Sequence, residues 1–190
     1  MNNYEFVLEV IKLYQSAREP KFVNQKISRG RSRSISSSAE DLFAHYLSGQ
    51  IECDHIYIDQ PISIDGFKNP IYPDLVIVRD KRIIAFIDFK MDMGWKRDGL
   101  YDLCRKQYDR LKKARGKKCK LKEGVSKREH FYIIDKKATF AIVIFTDRNI
   151  SQNLLNIMSM FLIYCSQKMQ TLCSIHITYF IRNLFLFLVV

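Results

Sequence analysis

Apolar and polar positions along this chain follow two periods, and the switches between them mark out its elements. Over residues 4–18, Phe6, Val7, Val10, Ile11 and Tyr14 recur at helical spacing, which predicts an amphipathic helix. The spacing returns in residues 37–47 through Leu42, Phe43, Tyr46 and Leu47, and in 99–114 through Leu100, Leu103, Cys104, Tyr108 and Leu111. Elsewhere the pattern is strand-like. Residues 56–62 read as a strand ending near Pro61, whose missing N–H suits a strand end. Residues 75–78 and 83–87 are continuous apolar runs on either side of Asp80-Lys81-Arg82, which predicts a hairpin of two buried strands. Residues 139–146 predict another buried strand, followed by a capped helix through Leu154, Leu155, Met158 and Phe161.

Charged residues inside the hairpin change the picture. Pro73-Asp74 opens its first strand and Asp88-Phe89-Lys90 closes its second. Carboxylates at core positions are costly unless something compensates them. A three-residue turn over Asp80-Lys81-Arg82 sets Arg79 opposite Ile83 and Asp74 opposite Asp88. Period-two alternation then keeps Lys90 on the face of Asp88. A slip of one residue would turn one strand over, so the convergence rests on that register. Two facing carboxylates repel and hold raised pKa values unless a cation joins them. Mg²⁺ takes carboxylate oxygens, keeps several waters and accepts phosphate oxygens. It also activates a coordinated water for attack on phosphorus. Lys90 is placed to orient or deprotonate that water, or to stabilise charge on the phosphorus. The backbone carbonyl of Phe89 is a further candidate ligand. A plain reading stands beside this one, because Pro-Asp is common turn chemistry and Asp-x-Lys is a short pattern.

With thirteen residues between Asp74 and Asp88, the hairpin resembles the signature of the PD-(D/E)xK nuclease superfamily. The resemblance covers roughly residues 35–150. It implies an α/β, restriction-endonuclease-like core: a helix, a three-stranded meander, a second helix and a further strand, in a central mixed sheet flanked by helices. It also implies a metal-dependent deoxyribonuclease, with a restriction-type endonuclease as the leading expectation. Asp74 and Asp88 would hold Mg²⁺, with Mn²⁺ as a substitute, and Lys90 would serve the attacking water. DNA is then the expected partner, and a homodimer is expected because restriction-type enzymes often cut both strands as dimers. An acidic residue on the first helix often completes the family's metal site, and Glu40 matches it. Ser37-x-x-Glu40 is also a capping box, so Glu40 reads either as a ligand or as part of a cap. Gln107 lies where some branches carry a helical Gln motif, but Leu111 stands where that motif has Tyr.

Charge supports a nucleic-acid substrate. The formal net charge is +11, and residues 96–137 hold sixteen Lys and Arg against six Asp and Glu. Residues 41–95 hold five basic and nine acidic residues. A basic block beside an acidic site suits an enzyme that collects a phosphate backbone and cuts it. A solvated charged surface is the plain alternative. Candidate contacts are Lys112, Lys113, Arg115, Lys117 and Lys118, in a segment read as an exposed loop over 112–122. Lys96 and Arg97 are candidates for the scissile phosphate, and Asp92 is a reserve ligand. Arg29, Arg31 and Arg33 lie in a Gly- and Ser-containing strip that could follow the backbone or serve as a linker.

Residues 1–150 read as the nuclease-like domain with an N-terminal helical segment, and 151–190 as an apolar C-terminal segment. From Asn149 onward only Lys168 and Arg182 are charged. This tail reads as buried strands over 174–181 and 184–190, as an altered reading frame, or as a membrane anchor that Arg182 opposes. No stable membrane association is expected. Five cysteines without a Cys-x-x-Cys pair, and no signal peptide, suit a reducing cytoplasm and argue against zinc. The rival reading is a catalytically inactive nucleic-acid-binding protein of the same fold.

Overall fold

The computed structural model of the protein describes residues 1–22, 24–91, 99–145 and 185–189. Two compact units divide the chain, Met1–Glu52 and Cys53–Val190.

The first unit contains a helix pair. Helix α1 (Asn3–Arg18) starts at a capping box: the Asn2 side chain accepts the Glu5 N–H, and the Glu5 carboxylate accepts the Asn2 N–H. It buries Phe6, Val10 and Ala17. Ile11, expected on that stripe, sits about 100° around the helix from Val10 and is 45% exposed. Helix α2 (Ser36–Ser48) buries Ala39, Phe43 and Ala44. The Phe6 ring lies 5.8 Å from Phe43 and 4.8 Å from Tyr46, which joins the two helices. The expected capping box at Ser37 does not form. The helix begins at Ser36, with Ile35 at the cap position and no side-chain cap. Glu40 therefore falls past the first turn, where no orphan N–H needs it.

The second unit is built on a mixed sheet. Its strands are β1 (His55–Ile58), β2 (Ile62–Ile64), β3 (Leu75–Arg79), β4 (Arg82–Lys90), β5 (Lys118–Lys122), β6 (Glu129–Ile144) and β7 (Phe185–Val189), with helix α3 (Leu100–Ala114) between β4 and β5. The strand order is β1-β3-β4-β6-β5-β2, with β7 also paired to β6. Among the described strands only the β4–β6 pair runs parallel, and the chain between them includes α3.

The connection between β1 and β2 forces this sheet to curl. These strands end opposite sides of the six-strand path, which would hold them about 24 Å apart in a flat sheet. Asp59, Gln60 and Pro61 alone join them, and such a link spans at most about 14 Å. The expected single strand over 56–62 is broken at this corner, where Asp59 has φ +46 and Pro61 cannot donate to a ladder. Buried Gln60 pins the corner by donating to the Lys122 carbonyl at 2.8 Å. Across the curl, the hydroxyls of Tyr57 on β1 and Tyr132 on β6 are 2.8 Å apart. Inside lie Ile62, Ile64, Val76, Val78, Ile83, Phe86, Leu121, Ile134, Phe140 and Ile142, with Leu111 and Ala114 of α3.

The expected loop over 112–122 is instead the end of α3, a tight turn through Gly116 (φ +79) and strand β5. Cys119 and Leu121 alternate inward between the lysines, the period-two pattern that the density of charge obscures. Among the described residues, no helix is long and apolar enough to cross a membrane. The expected helix through Leu154 and Phe161 and the strand over 174–181 lie outside the described residues, as do Asp92, Lys96 and Arg97.

Candidate active site

Asp74 directly precedes β3, and Asp88 and Lys90 close β4. The hairpin between them turns on two residues rather than three. Asp80 and Lys81 have φ +52 and +57, as a type I′ turn requires, and Arg79 pairs with Arg82. A regular ladder from that turn would set Asp74 opposite Ile87 and send Asp88 to the far face. A bulge intervenes. Val78 pairs with Ile83 but Ile77 with Ala85, leaving Ile84 as the extra residue. Leu75 then faces Ile87, and Asp74 meets Asp88.

Asp74 Oδ2 accepts the Phe89 N–H at 2.6 Å and the Lys90 ammonium at 2.8 Å. The Asp74 N–H faces the Asp88 carboxylate and favours its charged form. The three side chains thus form one cluster at the end of the hairpin. Burial pushes the Asp88 carboxyl up to about 6; Lys90 and the Asp74 N–H pull it down, and the Asp74 charge pushes it further up. The Asp74–Lys90 pair is part-exposed, with 23% and 37% of the side chains accessible, so water moderates its strength.

This donor set fits a hard divalent cation in part. Among the described residues, no group of three His, Cys, Asp or Glu gathers as a metal site. Two facing carboxylates, one of them strained toward its protonated form, are still what Mg²⁺ uses when waters and phosphate complete its shell. Lys90 stands on Asp74 in the position of a competing cation. Glu40 belongs to the first unit.

A cavity of about 230 Å³ opens beside Asp88, walled by Ile64, Tyr72, Phe86 and Phe140 and by Gln107 and Arg110 of α3. Arg110 also donates to the Pro70 carbonyl at 3.4 Å. Neither Gln107, whose helical motif lacks its Tyr, nor Arg110 is among the site residues expected from the sequence. Their signal was positional: Gln107, Arg110, Leu111 and Ala114 share one helix face at i, i+3, i+4 and i+7.

The basic candidates are dispersed. Lys112 and Lys113 are exposed on the last turn of α3. Arg115 donates through Nε and Nη2 to the Ala138 carbonyl at 3.1 and 2.8 Å. Lys117 donates to the Asp65 carbonyl at 3.1 Å and lies over the Phe67 ring. Lys118 is exposed on β5. In the first unit, Arg33 donates to the Ser16 carbonyl at 2.8 Å, at the C-terminal end of α1 where a cation is favoured. Arg29 donates to the Arg31 carbonyl, and both arginines are exposed.

No family model, no curated protein and no solved structure matches this chain.

Proposed function

We propose that this protein is a metal-dependent deoxyribonuclease on a restriction-endonuclease-like core, of the restriction endonuclease type. The observation that carries the reading is the meeting of Asp74, Asp88 and Lys90, with Lys90 Nζ 2.8 Å from Asp74 Oδ2. Asp74 and Asp88 would hold the cation, with the Phe89 carbonyl as a further candidate ligand. Mg²⁺, or Mn²⁺ in its place, would neutralise the paired carboxylates, polarise the phosphoryl group and make its water acidic. Lys90, released from Asp74, would orient the attacking water or offset charge developing on the phosphate. The exposed lysines at the end of α3 would hold the DNA backbone.

The Asp74–Lys90 ion pair also favours a second reading. An ammonium already neutralises one carboxylate, as it would in an inactive nucleic-acid-binding protein of this fold. Supercoiled plasmid incubated with Mg²⁺ or Mn²⁺ separates the two. Cutting should require metal and fall at least about 100-fold in Asp88→Ala and in Lys90→Ala. A folded wild type that cuts neither duplex nor single-stranded DNA, and binds both equally with and without metal, would leave the binding protein.

A further inference from the structure

The outer face of the sheet at the far end of β4 carries a different kind of surface. The bulge at Ile84 fixes it: Phe86 and Asp88 lie on the inner face, so Arg82, on the other side of the bulge, points outward. The strand registers then assemble two rows. Lys118, Ile133, Arg82 and Arg79 are consecutive partners across β5, β6, β4 and β3. Lys120 and Phe131 pair in the adjacent outward row of β5 and β6. Phe131 is 69% exposed and Ile133 37%, although each sits in a strand whose inward neighbours, Tyr132 and Ile134, pack on the core.

A single exposed aromatic ring is ordinary on a protein surface; what distinguishes Phe131 is its neighbours. Here its setting is cationic. Arg79, Arg82, Lys118, Lys120 and Lys122 share this face, against which Glu129 holds Lys120 at 3.1 Å and Asp135 approaches Arg82 at 3.8 Å. Arg79 and Lys118 form no ion pair with any described residue. A flat ring on a rigid strand, flanked by cations at strand spacing, matches a polyanion that also presents aromatic faces. Unpaired nucleotides do so, whereas duplex DNA keeps its bases stacked on one another.

We infer that Phe131, with Lys118, Lys120 and Arg82, forms a platform for single-stranded nucleic acid, separate from the Asp74–Asp88 cluster. A base stacks on Phe131 while the flanking phosphates meet the cations. The platform lies on the opposite face of the sheet from Asp88, and about 20 Å along β4 from it at strand rise. It therefore stands whether or not the protein cuts.

The test is binding of a fluorescent oligothymidine to the full chain in EDTA, where metal-dependent cleavage cannot interfere. Phe131→Ala should weaken binding on the order of ten-fold, with an unchanged thermal midpoint because the ring is exposed. Phe131→Trp should restore it and give tryptophan quenching on binding. Lys118→Gln combined with Lys120→Gln should lower the slope of log affinity against log salt by about 1.4. A duplex of the same length should be indifferent to Phe131→Ala. The inference is overturned if Phe131→Ala binds like wild type, or if it weakens duplex and single strand alike.

Discussion

Asp88 is the carboxyl group on which the proposed chemistry depends most. Burial raises its pKa to about 6, against about 3.9 in an unfolded chain. Below about pH 4 both states hold the proton and the group is neutral in effect. As pH rises from about 4 to 6, the unfolded chain releases the proton and the folded one keeps it, so metal-free stability falls and then stays lower. Asp88→Asn should therefore stabilise the metal-free protein at pH 7.5, by at most about 3 kcal/mol before solvent screening. The gain should vanish near pH 4. Urea midpoints at several pH values measure this, and a gain of equal size at all of them would refute the assignment. A cation reverses the balance by favouring the ionised form. Mn²⁺ should thus raise the wild-type melting temperature more at pH 7.5 than at 5.5, and leave Asp88→Asn nearly unmoved.

At the scale of elements, the hairpin shows how two irregularities compensate. Its turn places Lys81 at φ +57, a left-handed conformation that costs a residue with a Cβ about 1–2 kcal/mol. Lys81→Gly creates the Asp-Gly pair that a type I′ turn favours. It should raise unfolding free energy by about 0.5–1 kcal/mol, since glycine also loosens the unfolded chain. Equilibrium denaturation would read this directly, and a loss of stability would show that the turn is not type I′. The expected facing of Asp74 and Asp88 is present, but it arises through a different turn. A three-residue turn and a two-residue turn plus a bulge give the same register beyond Ile84, because each adds one residue to the same strand. Propensity had no means to choose between them, as Asp80-Lys81-Arg82 lacks the glycine that would mark either.

For the second unit as a whole, closure of the curl matters most. Tyr57 and Tyr132 meet across it through their hydroxyls, joining strands that are not neighbours in the sheet path. Tyr57→Phe removes that bond while keeping the ring, so it should cost about 1 kcal/mol with little change in secondary structure. A denaturation curve with unchanged slope and a lower midpoint is the expected result. A null effect would mean that the three-residue corner alone holds the ends together. The charge of +11 acts at this scale too, and the DNA binding proposed above should weaken steeply with salt.

What the sequence determined by itself is local order: helical stripes, the apolar hairpin, and two acids and a lysine at positions of matching parity. These follow from periodicity and from the cost of burying charge, which are local properties of the chain. Tertiary structure decided the rest. It split the strand after Ile58, because a corner was needed to close the sheet, and it made a strand of the lysine-rich segment, because β6 and β2 offered it partners. It also set Gln107 and Arg110 beside Asp88 and left Phe131 facing outward. Each outcome depends on pairing between segments far apart in the chain, and a pattern read along one segment holds no record of its partner.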